Sequence, residues 1–92
     1  MPLTSSERKT LKAKAHKLEP VVQIGAKGLT DDVVAEIERA LNAHELIKVR
    51  AGGLERDERD AVLEQICGRT GADQVQQVGK VFVLFRKKDE QA

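Results

Sequence analysis

Residues 20–34 leave this chain few choices. Pro20 pushes Glu19 out of the α region, Val21-Val22-Gln23-Ile24 is short and apolar enough for a strand, and Gly25-Ala26-Lys27-Gly28 is a G-x-x-G loop. Thr30 then stands where a helix N-cap belongs, with Asp31 and Asp32 in the first turn, both favoured at the positive end of a helix dipole. A strand that turns through two glycines into a capped helix opens a strand-helix-strand unit, and such units give parallel neighbours with right-handed crossovers. The glycines let the backbone take positive φ and approach a ligand closely. Lys27 at the tip adds a mobile charge to amide donors that suit a phosphate. As a plain connection the same loop needs one glycine for the turn, the other for close packing, and a solvated lysine. The rest of the chain decides between the two.

Upstream, Thr4 and Glu7 have capping-box spacing, and Leu11, Ala15 and Leu18 recur at helical intervals, so a first helix is expected over residues 5–17. Its apolar stripe is narrow, and Arg8, Lys9, Lys12, Lys14, His16 and Lys17 take most of the remaining circumference. Downstream, Val33, Val34, Ile37, Ala40 and Leu41 mark the buried face of the second helix, which ends over residues 42–44. Residues 46–50 then alternate as a strand, Ile47 and Val49 on one face and Leu46, Lys48 and Arg50 on the other. Ala51-Gly52-Gly53 turns the chain. A third helix over residues 55–70 buries Val62, Leu63, Ile66 and Cys67, and Gly71 supplies a left-handed stop. Strands over 75–78 and 81–85 are joined by a Gly79-Lys80 hairpin; the second, apolar at both parities, belongs at the centre of the sheet with both faces covered. The expected fold is α/β, in the order α-β-α-β-α-β-β: a four-stranded mixed sheet packed with three helices. It forms one domain over residues 1–92, with an ordered core over about 4–87.

Composition narrows the function. With 40% hydrophobic and 34% charged residues, the chain suits a folded domain better than a disordered one. No apolar run approaches the ~18 residues of a membrane span, and the amino-terminal stretch is charged where a signal peptide would be apolar. A cytoplasmic protein without a membrane partner is expected. Cys67 is the sole cysteine, which excludes an internal disulfide and a cysteine-cluster metal site. His16, His44 and Cys67 fall on separate elements, and the G-x-x-x-x-G-K-[ST] spacing of a nucleotide loop is absent. No catalytic residue, metal, cofactor or small-molecule substrate is therefore expected.

Net charge is only +1, but it is unevenly distributed. Residues 1–28 hold six bases and two acids, net +4; residues 80–88 hold Lys80, Arg86, Lys87 and Lys88 without an acid, another +4. Between them, residues 29–79 carry eleven acids and six bases, net −5. If the fold joins the two basic segments, one face attracts phosphate while the other repels nucleic acid and fixes orientation. Gly52-Gly53 resembles a second phosphate loop, but Glu55, Asp57, Glu58 and Asp60 crowd the helix after it, so a turn is expected there. With Phe82 and Phe85 the only aromatics, base stacking of the RRM kind is not expected, and recognition falls to backbone and shape.

The order of elements, with G-x-x-G after the first strand, resembles the CRM domain (chloroplast RNA splicing and ribosome maturation), specifically its free-standing bacterial YhbY-like members. The resemblance runs through Leu11-Lys12-Ala13-Lys14-Ala15-His16, PVVQIGAKGLT over residues 20–30, HELIKV over 44–49, Thr70-Gly71-Ala72, and Gly79-Lys80 before the last strand. It implies a fold similar to the carboxy-terminal domain of translation initiation factor three. It also implies binding of structured rRNA on precursors of the large ribosomal subunit, in ribosome assembly. The family's RNA-contacting loop falls on Gly25, Ala26, Lys27 and Gly28, with Arg8, Lys9, Lys12, Lys14, Lys17, Lys80, Arg86 and Lys87 as supporting basic residues. Many such proteins carry a long basic tail, whereas here Arg86-Lys87-Lys88 is followed by Asp89-Glu90. A monomer is expected. The alternative is a protein-interaction module that docks a ribosomal protein or assembly factor through its acidic middle.

Overall fold

The computed structural model describes residues 3–87. Its elements follow the expected order: α1 (Ser5–Ala15), β1 (Val22–Gln23), α2 (Asp31–His44), β2 (Leu46–Arg50), α3 (Arg56–Thr70), β3 (Asp73–Val78) and β4 (Val81–Phe85). The sheet order is β1-β2-β4-β3. β1 runs parallel to β2, and β4 is antiparallel to both of its neighbours, so the most apolar strand is central as its composition predicts.

Strand alternation divides the core in two. Ile47, Val49, Phe82 and Leu84 point to one face, where they bury with Ile37 and Leu41 of α2 and Leu63 and Ile66 of α3. Val75 and Val83 point to the other face and bury against Leu11 and Ala15 of α1, with Leu46 and Phe85 packed alongside. Two helices thus cover one face and α1 the other, a placement that periodicity alone does not decide.

The caps behave as the sequence predicts. Thr4 and Glu7 form a reciprocal capping box on α1, Thr30 accepts from the Val33 N–H at 3.2 Å, and Gly71 ends α3 at φ +73. Boundaries differ in three places. α1 stops at Ala15 because the Lys17 and Leu18 amides reach back three residues, to the carbonyls of Lys14 and Ala15, tightening the last turn before Pro20. β1 is two residues rather than four, although Val21 N–H still donates to Lys48 O and Ile24 N–H to Arg50 O. β3 begins two residues before the expected Val75, and its register slips between Gln74 and Gln76. Cys67 is only half-buried, and that burial, with Asp73 nearby, pushes its thiol pKa up.

The register defines two ends of the sheet. Gln23, Arg50 and Val81 align at one end, where the G-x-x-G loop leaves β1; Leu46, Phe85 and Asp73 align at the other.

Candidate nucleic-acid interface

The loop is held by its neighbours rather than by its own length. The Gly28 N–H donates to the Gly25 carbonyl at 3.0 Å, closing a turn over Ala26 and Lys27, and Gly28 lies at φ +78, where a β-branched side chain is strongly disfavoured. The second glycine pair proves to be its support. The Gly53 N–H donates to the Ile24 carbonyl, and a Cβ on Gly53 would sit 2.5 Å from the Ala26 nitrogen and nearer still to the Gly25 carbonyl carbon. Gly52-Gly53 is thus a turn, as expected, with the added duty of letting two backbones touch. Lys27 is exposed at the tip.

Arg50, Lys80 and Lys48 add cations at this end, and Arg56 and Arg59 line a groove with Gly79 of the β3–β4 hairpin. Arg50 is the last residue of β2, pairs with Gln23 of β1 and is exposed beside the loop. Lys80 lies in the β3–β4 hairpin, and its carbonyl accepts from the Ala51 N–H at 2.6 Å. Lys48 shares the α1 face with Arg50, two residues away on β2, and lines a groove with Lys12 and His16 of α1. Lys12, Lys27, Lys48, Arg50 and Lys80 make no side-chain hydrogen bond or ion pair with another described residue. Lys48 and Arg50 were not among the expected contacts. The signal for them was the period-two alternation of β2, which sets both on the face opposite Ile47 and Val49.

The basic residues of α1 do not form one patch. Lys12 and His16 flank the groove towards the loop end, whereas Lys14 and Lys17 line a different one, with Leu18 and His44. Arg8 is half-buried and Lys9 exposed. The carboxy-terminal basic run divides as well. Lys80 is at the loop end, but Arg86 follows β4 at the opposite end, so the two basic segments are not brought onto one face. The Arg86 guanidinium donates to both carboxylate oxygens of Glu38 at 2.9 and 3.0 Å, to the Thr70 carbonyl at 2.7 Å and to Asn42 Oδ1 at 2.8 Å. It fastens α2 and the end of α3 to β4. Lys87 is exposed next to it, and Lys88 lies outside the described residues.

His16, His44 and Cys67 each line a different groove, and no group of three or more His, Cys, Asp or Glu that could hold a metal occurs among the described residues. No described helix is long and apolar enough to cross a membrane.

Residues 3–86 match the family model of the CRS1/YhbY (CRM) domain. A Pseudomonas aeruginosa protein named "Probable RNA-binding protein" is 46% identical over 87 residues, covering 95% of this chain and 84% of its own. A Haemophilus influenzae protein named "RNA-binding protein" is 46% identical over 88 residues, 96% of this chain and 89% of that one. Bacillus subtilis YqeI, also named "Probable RNA-binding protein", is 33% identical over 88 residues, 96% of this chain and 92% of that one. In three dimensions the chain is similar to a Staphylococcus aureus protein solved in solution, with TM-score 0.83 at 29% identity over 98% of this chain and 94% of that one.

Proposed function

The chain belongs to the CRS1/YhbY (CRM) domain family, and from that membership and the arrangement of its cations we propose that it binds structured RNA through the loop end of the sheet. The observation that carries the reading is the G-x-x-G turn, buttressed by Gly53 and flanked by Lys27, Arg50 and Lys80, with Lys12 and Lys48 behind it. Loop amides and mobile cations fit phosphate oxygens. Recognition is of backbone and shape, since Phe82 is fully buried and Phe85 packs against α1, leaving no aromatic platform. The RNA we assign is rRNA of large-subunit precursors, and the role is in ribosome assembly, in the cytoplasm, by a monomer without a catalytic step of its own.

Titration of a structured rRNA fragment at several salt concentrations tests this. With about five phosphates neutralised, log K falls against log[salt] with a slope of roughly −3.5 to −4.5, and heparin displaces the RNA. A slope near zero, or binding of a ribosomal protein that heparin leaves intact, favours docking through the acidic surface instead.

A further inference from the structure

The groove between α1 and the sheet has a floor that phosphate binding does not explain. Lys12 and His16 on one side and Lys48 on another border a hollow of about 350 Å³, within the ~300–1,000 Å³ of small-ligand sites, floored by Val78, Val81 and Val83. Val78 is 56% exposed, an uncovered aliphatic surface at the edge of a basic rim. No acidic side chain lines the groove. The bulge in β3 adds a polar group to this floor. Gln76 pairs with Val83 and Gln74 with Leu84, so Val75 is the extra residue; Val75 and Gln76 therefore both face α1, where strict alternation would send one to each side. Val75 closes beneath α1, and Gln76 brings an amide, donor and acceptor together, to the apolar floor.

A ring with apolar faces, a hydrogen-bonding edge and an attached anion satisfies all three features. We propose that this groove seats one unpaired nucleobase of the RNA whose phosphates lie on the loop, so that the RNA recognised carries a bulged or unstacked nucleotide. This rests on the RNA-binding reading above. The base lies against Val78 and Val81, its edge meets Gln76, and its flanking phosphate meets Lys12 or Lys48.

The test uses two RNA hairpins that differ by one bulged nucleotide, with 2-aminopurine at the bulge, titrated with the wild-type chain, the Gln76→Ala/Val78→Ser variant and Lys27→Ala. Neither exchange at 76 or 78 changes charge. The wild-type chain prefers the bulged RNA by about fivefold, the low end of base-stacking effects because the floor is aliphatic rather than aromatic, and binding changes the 2-aminopurine fluorescence. Gln76→Ala/Val78→Ser loses the preference and the fluorescence change while holding the paired hairpin as before; Lys27→Ala weakens both RNAs alike. Equal binding of the two hairpins by the wild-type chain, or a preference that survives Gln76→Ala/Val78→Ser, overturns the base site and leaves RNA binding through the loop standing. Failure of the wild-type chain to bind either hairpin overturns both readings.

Discussion

At the far end of the sheet Arg86 is held by Glu38, Asn42 and the Thr70 carbonyl at once, whereas at the loop end Lys27, Arg50 and Lys80 have no side-chain partner among the described residues. Both ends carry basic residues drawn from the same two sequence segments, and the loop end adds Arg50 from β2. What differs is the frame around them. Acceptors from two helices, α2 and α3, converge on the guanidinium of Arg86, whose side chain is 22% exposed, and its planar fork satisfies groups that would otherwise lack a donor. Around the loop, glycines bring backbones together and the cations project from turns and a strand end. Equal charge thus has two uses, and the neighbours decide which.

The largest expected effect comes from closing the gap between the two loops. Gly53→Val drives a branched side chain into the Gly25–Ala26 backbone, which cannot yield without moving the loop. A loss of about 3 kcal/mol or more is expected, seen as a large fall in melting temperature, with RNA binding lost in whatever fraction stays folded. Next is Arg86→Ala, which leaves the Thr70 carbonyl and Glu38 without their donor. Since Glu38 is 38% exposed and water replaces part of the contact, about 2 kcal/mol is expected, or roughly 8–16 °C in melting temperature. The salt slope of RNA binding should stay as it was. If Arg86→Ala instead melts normally and binds RNA poorly, the division between the two ends is wrong. Arg86→Lys should recover little, because one ammonium nitrogen cannot reach both the Glu38 and Thr70 acceptors held by Nη1 and the Asn42 Oδ1 held by Nη2.

Lys27→Ala should reverse that pattern: stability within about 0.5 kcal/mol of wild type, and RNA binding weakened with a salt slope flatter by about 1. The smallest effect lies in the Thr4–Glu7 capping box, which belongs to neither end. The hydrogen bonds from the Thr4 backbone and side chain lower the Glu7 pKa below its ordinary 4.5. A carboxylate with a depressed pKa in the folded state stabilises above its unfolded value, and that contribution disappears as pH falls through the folded one. Melting curves of wild type and Glu7→Ala should therefore differ slightly near neutrality and converge in acid, once pH has fallen through the lowered Glu7 pKa.

Much of this was legible in the sequence because local rules sufficed. Thr4 with Glu7, Thr30, Gly71 and Gly79 each fix an element boundary through capping or turn chemistry that needs no tertiary information. The apolar parity of β4 was enough to make it central. What was not legible depended on contacts between distant segments. Gly53 looked like an ordinary turn glycine, since nothing within its own segment shows that the loop at residues 25–26 touches it. Arg86 looked like one of a basic run, because its acceptors are 16 to 48 residues away in sequence. The bulge at Val75 gave no signal, as glutamine suits either face of an edge strand. The split of α1 into two flanks followed only once Leu11 and Ala15 were set against β3 and β4.

If the loop end holds the RNA as proposed, and basic charge at large does not, removing its charges should change the salt dependence of binding where removing others does not. The most direct measurement compares the salt dependence of RNA binding for two neutralised variants, Lys27→Ala/Arg50→Ala/Lys80→Ala at the loop end and Lys9→Ala/Lys14→Ala/Lys17→Ala on the outer and far flank of α1 and the turn that follows it. Each removes three positive charges, so bulk electrostatics treats them alike. The loop-end variant should lose roughly 2 to 3 from the magnitude of the slope while the α1 variant stays close to wild type. Equal flattening by both variants, or a greater loss from the α1 variant, would contradict it.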